Sequence, residues 1–482
     1  MVFLSRLPFL TPGFGTDNDA WELAKSARHI GITGDYVASR FPGYPVQEFI
    51  SALGWQLGPI WINGLTAFFS TIATLFFALS ARILGVREYI WMSLAFAFIP
   101  TVYISSPTGM DYMWAMAFLM GSFYFVLIRK PLIAGIFLGI ACGCRITSCV
   151  FFIPFVLMLM VPQQGSNRWK DILVFTLSSV LIGIACYIPV MLRYPNFEFL
   201  SYYEPFGEGQ RTVGVFLSGI LNPSLPYSPL YILGLSTVGV WGVIGFTVLC
   251  VTFIVWLMKF LTKQSPLKER RAIDINLPKT YIFAWIVALL LVFILFWRLP
   301  HDEGYLIPGL PFVLLLLAYV YEIGLMRLLC TSLILSSFFI GVDVAPPKKG
   351  VSPDSRSSIH RFIKLGRETF VIDYLRGPML MDYDKRVSTE RLVQETLIEM
   401  RSWNEPTLLI AGLLDKFIQY HYHEDVMKLD PNIKIVDKLS MNEVLEHLEN
   451  GYNVYYLPDA RERTLRAEEY DLEEIGAILK LQ

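Results

Sequence analysis

The sequence predicts a multi-pass α-helical membrane protein, with about 10 transmembrane helices, followed by a small soluble α/β domain. Three observations predict it. First, 54% of the 482 residues are hydrophobic and only 17% are charged, against roughly 25% charged in an average soluble domain. Second, many stretches long enough to span a bilayer carry no charge, such as 49–81 and 212–258. Third, charge is partitioned. Residues 1–342 carry 21 Lys/Arg and 16 Asp/Glu, whereas residues 343–482 carry 19 and 25. Three parts follow: an N-terminal stub with a first outer loop (1–59), a transmembrane helical domain (60–342) and an extracytoplasmic α/β domain (343–482). The composition excludes a single soluble domain and intrinsic disorder. No basic block exists, so no nucleic-acid partner is expected.

Spanning helices are expected near 60–82, 89–105, 111–128, 131–144, 147–161, 171–192, 234–258, 280–297, 305–322 and 327–342. Arg145 falls between two short pieces, which read as half-length helices meeting near one membrane face. Alternate loops differ sharply in Lys/Arg. One set, from Arg82 and Arg87 through Arg129, Lys130, Arg168, Lys170, the 259–279 cluster and Arg327, holds 13. The other holds Arg145, Arg193, Arg211 and Arg298. The positive-inside rule makes the first set cytoplasmic. The second set, residues 1–59 and the tail are then extracytoplasmic, in a bacterial or archaeal plasma membrane. Met1–Leu10 is too short to span; either an upstream helix is missing or Met1–Phe14 is the stub of one, and a truncated first helix is the favoured reading. All six cysteines lie in apolar runs and read as small packing residues, not a disulfide framework.

The outer loops carry the chemistry. Pro12, Gly13 and Gly15 make a turn, and Trp21, Ala24, Ala27 and Ile30 then recur at helical spacing. One of Asp17 and Asp19 serves as the N-cap; the other is left for chemistry. Arg40 and Tyr44 share a rigid Ser39–Pro45 stretch. Asp111 opens a helix, where the dipole favours a carboxylate. Arg145 offers a planar fork at membrane depth, where an ionisable residue is functional by default. Arg298, His301, Asp302, Glu303 and Tyr305 crowd a late loop. All fall on one side by the charge rule. Acids and cations converging there suit attack by an acceptor hydroxyl on a lipid-phosphate-linked sugar, with a carboxylate as general base and cations stabilising the departing phosphate. A single displacement inverts the anomeric centre. The need for a metal is left open: Asp17, Asp19 and Asp111 offer oxygen ligands for a divalent cation, but the ligand set is incomplete, and no other cofactor is implied.

With these residues in place, the chain resembles the GT-C glycosyltransferases that use polyprenyl- or dolichyl-phosphate sugars, of the protein O-mannosyltransferase and lipid A aminoarabinose transferase type. The resemblance rests on the multi-span body, the acidic motif of the first outer loop, Arg145-Ile-Thr147 between helix halves, and the late Tyr305-Leu-Ile-Pro308. It implies Asp17 as catalytic base, four residues before Trp21, with Asp19 as second candidate. It implies Arg145, Arg298 and His301 as donor phosphate-binding groups. Arg40, Tyr44, Asp111, Glu303 and Tyr305 are then substrate-binding candidates. The implied partners are a polyprenyl-phosphate sugar donor, a lipid, glycan or protein acceptor, and membrane lipid. Gly304 departs from the family, which often has Arg or Lys before that Tyr.

The tail alternates. Helices are expected at Ser388–Arg401, Leu413–His423 and Met441–Asn450, and strands at Thr407–Ala411, Ile433–Val436 and Asn453–Leu457, with parallel pairing. His421 and His423 diverge on their helix, which argues against a metal site there. The alternative functions are a secondary transporter and a non-catalytic membrane assembly partner. The transporter reading lacks a second broken helix to match the one at Arg145.

Overall fold

The computed structural model describes residues 1–162, 167–195, 199, 229–262, 271–273, 277–298, 303–345, 360–365, 368–424, 432–457, 472–475 and 478–481. His301, Asp302, Arg211, Lys263, Lys268, Arg270 and the expected linker after Ala345 lie outside the described residues, as does the Arg298 side chain.

The chain starts with turns and a 3₁₀ helix, Leu7–Phe9, not with a helix stub. Pro8 and Pro12 stand four apart, so Pro12 has no N–H to give the Pro8 carbonyl. α1 (Asn18–Thr33) ends at Gly34, which adopts the left-handed conformation a C-terminal cap needs. α2 (Pro45–Ala52) follows. The apolar body is α3 (Pro59–Ile83), α4 (Tyr89–Ala97), α5 (Pro100–Ser105), α6 (Tyr112–Leu127), α7 (Pro131–Cys144), α8 (Phe152–Leu159) and α9 (Arg168–Arg193). It continues with α10 (Pro229–Leu261), α11 (Lys279–Arg298), α12 (Leu310–Val320) and α13 (Ile323–Ser336).

Among the described residues, five segments are long and apolar enough to cross a membrane: Pro59–Ile83, Arg168–Arg193, Ser236–Leu261, Lys279–Phe296 and Glu303–Val320. Four more apolar helices are shorter. Four expected helices are corrected. The 305–322 helix opens as a 3₁₀ segment, Glu303–Gly309, and is α-helical only over Leu310–Val320. The 89–105 helix breaks before Pro100, because a residue preceding proline avoids the α region. The 147–161 piece starts as a 3₁₀ helix, Ile146–Phe151. The 327–342 helix stops at Ser336, and β1 begins at Gly341.

α9 shows how the body meets its solvent. Leu173, Leu177, Leu181, Ile184 and Ile188 form an exposed apolar stripe, the face a lipid-facing helix presents. Its other face packs on α7 through small residues. A Cβ at Gly135, Gly139 or Gly143 would meet Ser178, Ile182 or Cys186 at 1.9, 2.7 or 2.6 Å. This small-residue seam is how membrane helices approach closely, and Cys186 serves it as a packing residue. All six cysteines are free thiols.

Some residues of each set of loops meet one another. In one, Lys259 pairs with Glu322 and Arg327 with Glu88, while the Arg87 N–H bonds the Ala272 carbonyl. In the other, residues 14–19, 40–48, 107–112, 145 and 303–305 come together around the candidate site.

The carboxyl-terminal region packs on that second group. β1 (Gly341–Ala345), β2 (His360–Leu365) and β3 (Glu368–Asp373) form an antiparallel sheet of order β1-β3-β2. α14 (Pro378–Met400) follows. β4 (Thr407–Ile410), α15 (Asp415–Glu424), β5 (Ile433–Val436), α16 (Met441–Glu449), β6 (Asn453–Tyr456), β7 (Leu472–Ile475) and β8 (Ile478–Leu481) complete it. β4 is parallel to both β5 and β6, as expected, and buried along its length. β8 and β7 add antiparallel strands. α15 lies on α1: Phe417 packs over the Trp21 indole with ring centres 4.4 Å apart, and Lys416 pairs with Glu22.

Candidate functional site

The first loop is pinned before it reaches its acids. Asn63 on α3 donates to the Leu10 and Gly13 carbonyls. The Gly109 N–H donates to the Phe14 carbonyl at 2.6 Å. The Trp21 indole N–H bonds the Gly15 carbonyl, so the aromatic four residues after Asp17 holds the turn before it. These contacts bring 15–19 beside 108–112, although nearly a hundred residues separate them.

Asp17 is the α1 N-cap, and Asp19 pairs with Arg40, so the expectation that the non-capping acid is left free is corrected. The Asp17 Oδ1 accepts from the Asp19 N–H at 2.9 Å. Asp17 remains exposed, and it lines a cavity of about 470 Å³. Tyr112, Glu303, Gly304, Lys385 and two α10 glycines, Gly239 and Gly242, also line that cavity. α10 kinks at Gly242, whose φ of 66° suits glycine. At Gly239 a Cβ would stand 2.8 Å from the Glu303 carboxylate, so the glycine makes room for the acid.

Behind this cavity runs a chain of alternating charges. Asp19, 42% exposed at its side chain, pairs with Arg40 Nε at 3.1 Å. Arg40 Nη2 donates to Asp111 Oδ1 at 2.7 Å. Arg145 Nη1 donates to Asp111 Oδ2 at 2.5 Å. Asp111 is fully buried, and its side chain does not cap α6 although it occupies the N-cap position. It turns inward to the two guanidinium groups instead. Burial works against the charge of Arg40, but Tyr44, Asp111 and Asp19 outweigh it and hold the pKa above the ordinary value. The Arg40 guanidinium also lies 4.0 Å from the centre of the Tyr44 ring.

Arg145 is 6% exposed. It follows the last residue of α7 in an extended conformation, so the helix break aims it inward. Its guanidinium sits 4.3 Å from the Tyr112 ring centre and 4.4 Å from that of Tyr305, within cation–π range. Gly304 explains itself here: a Cβ would come within 2.3 Å of the Tyr112 ring. A cation at that position, as in the resembled family, does not fit beside this tyrosine.

The structure thus joins Asp17, Asp19, Arg40, Tyr44, Asp111, Arg145, Glu303 and Tyr305 in one neighbourhood. Asp17 and Glu303 reach the cavity. Arg40, Asp111 and Arg145 occupy one another. The sequence left a divalent cation at Asp17, Asp19 and Asp111 open; here arginines take both Asp111 oxygens and one of Asp19. No cluster of three His, Cys, Asp or Glu suited to a metal occurs among the described residues. The sequence reading missed Tyr112 and Lys385. Tyr112 is adjacent to Asp111 and was hidden in an apolar run. Lys385 lies three residues before the expected start of its helix.

Glu48 fixes the loop that delivers Arg40. It accepts from Tyr36 Oη, Ser39 N and Oγ, and Tyr44 N at 2.6–3.1 Å. Burial raises its pKa above the ordinary value, against the pull of these donors.

Fold and site together define a helical protein with several segments apolar and long enough to cross a membrane. Two solved structures share the fold over the whole chain. ArnT from Cupriavidus metallidurans bound to undecaprenyl phosphate superposes with a TM-score of 0.54 at 11% identity, covering 100% of this chain and 96% of that one. The same protein in the apo state gives 0.51 and 11%, covering 100% and 95%. No family model and no curated protein sequence matches the chain.

Proposed function

We propose that this chain is a membrane glycosyltransferase that moves a sugar from a polyprenyl-phosphate donor to an acceptor hydroxyl on the extracytoplasmic side. One observation carries the reading: in an ArnT-like fold, the exposed Asp17 carboxylate faces a cavity beside the buried Arg40–Asp111–Arg145 network. ArnT was solved with undecaprenyl phosphate, which supports a lipid-phosphate donor here. The 13 basic residues of the opposite loop set support the sidedness.

Asp17 takes the proton of the acceptor hydroxyl. The hydroxyl oxygen forms the new bond to the anomeric carbon from the face opposite the phosphate. The bond from that carbon to the phosphate oxygen breaks, and its electron pair leaves on polyprenyl phosphate. The anomeric configuration inverts. Capping suits Asp17 to this role, because the Asp19 N–H fixes one oxygen and so the direction of the other. Asp19, Arg40, Asp111 and Arg145 sum to zero formal charge. They hold the wall behind Tyr112 and Tyr305 rigid without drawing in counter-ions. Arg298 and His301 are proposed as further phosphate contacts, and Tyr44 and Tyr305 as stacking surfaces for the sugar.

The test supplies purified protein in lipid nanodiscs with a panel of radiolabelled undecaprenyl-phosphate sugars and acceptors. Label moving to an acceptor, with stoichiometric release of undecaprenyl phosphate, is expected. Solute counterflow in sealed vesicles without transfer would favour the transporter instead.

A further inference from the structure

The carboxyl-terminal region builds part of the cavity wall. Pro378, Met381, Asp382 and Lys385 of α14 all line the cavity, and their spacing of i, i+3, i+4 and i+7 places them on one helix face. α14 is bolted in place. Arg386 is buried, donates to the Phe9 and Pro107 carbonyls and pairs with Asp382. At its start, a Cβ on Gly377 would meet the Ser337 carbonyl at 2.3 Å, and one on Gly341 would meet Met381 at 2.1 Å. The Gly341 N–H bonds the Arg376 carbonyl. The face is therefore fixed against the membrane helices.

Charge makes one residue of that face stand out. Among the described lining residues, Asp17, Glu303 and Asp382 are acids, and Lys385 is the one cation. Arg40 and Arg145 are committed to Asp111, whereas Lys385 is exposed and has no ion-pair partner among the described residues. Asp382 is neutralised by Arg386, and the charge that attracts an anion entering the cavity is that of Lys385. We propose that Lys385 is the binding group for a phosphate-bearing ligand in this cavity, so that α14 supplies the site with its anion contact. The proposal deepens the transferase reading, and the phosphate belongs either to the polyprenyl donor or to a phosphorylated acceptor.

Two probes separate these sources. Dissociation constants are measured for full-length protein in phosphatidylcholine nanodiscs, with undecaprenyl phosphate and with N-acetylglucosamine 1-phosphate. Lys385→Ala is expected to weaken binding by roughly 10- to 100-fold, the value of a hydrogen bond to a charged group. Lys385→Arg is expected to restore most of it. Loss for undecaprenyl phosphate alone assigns the donor, and loss for the sugar phosphate alone assigns the acceptor. Unchanged binding of both probes, or no binding by wild type, overturns the proposal. Binding with the expected losses but no sugar transfer by wild type would leave Lys385 in place and sink the transferase reading instead.

Discussion

In the proposed mechanism Asp17 performs two tasks with one side chain, capping α1 and accepting a proton, and substitutions separate them. Asparagine caps a helix about as well as aspartate, so Asp17→Asn removes the base and keeps α1 seated. Asp17→Ala removes both. The account predicts equal melting temperatures for wild type and Asp17→Asn, and a lower one for Asp17→Ala, by roughly 1 kcal/mol of stability. Asp111 should behave in the opposite way. It is buried between two guanidinium groups, and removing one partner of such a cluster costs about 3–5 kcal/mol. Asp111→Ala should therefore fail on thermal melting in detergent before any effect on transfer is read. A variant as stable as wild type would contradict the network. The residue types were legible in sequence here; their pairing was not. Asp111 stands at a helix start, where the dipole suffices to explain a carboxylate, and only the folded chain shows it facing Arg40 and Arg145.

At the scale of elements, the α7–α9 seam and the 34–58 segment position the site. Gly139→Val forces a side chain into Ile182 and the Gly183 backbone. Overpacking of this kind costs about 1–3 kcal/mol, and α7 carries Arg145 at its end. Gly183→Ala has nothing within 4 Å of its Cβ and is the matched control. The melting temperature should fall for the first and hold for the second; equal behaviour would contradict the seam. Glu48 gives the 34–58 segment a pH dependence. Its folded pKa is raised by burial, so the folded state binds the proton more tightly than the unfolded chain. Its contribution is complete below the ordinary carboxylate value and is lost as pH rises through the raised one. Hydrogen exchange at 36–48 should accelerate across that window, and Glu48→Gln should flatten the profile. Slower exchange with rising pH would contradict the sign. Hydrophobic periodicity located most of these helices, with Pro131–Cys144 recovered in full. It misjudged α14, whose start is marked by Gly377-Pro378 and not by apolar spacing. A proline at the first helical turn was the missed signal, and with it went the cavity face that holds Lys385.

For the whole molecule, the partition of Lys/Arg among loops is the feature the sequence stated most plainly, and it predicts that the two groups lie on opposite faces of the membrane. Sidedness can be read directly. In a background with the native cysteines replaced, Lys385→Cys and Arg87→Cys should react with a membrane-impermeant maleimide from opposite faces of sealed vesicles; labelling from one face would contradict the arrangement. What periodicity could not supply was closure. The Gly109–Phe14 bond and the seating of α15 on Trp21 join segments 95 and about 400 residues apart, and a linear pattern holds no record of such meetings.

A carboxylate poised to accept a proton at the cavity mouth is the claim on which the rest hangs. Single-turnover transfer from a radiolabelled undecaprenyl-phosphate sugar, with donor affinity measured in parallel, addresses it most directly. For Asp17→Asn the account predicts donor affinity close to wild type and a transfer rate at least ~100-fold lower, the usual cost of losing a general base. A variant that turns over at the wild-type rate would contradict it.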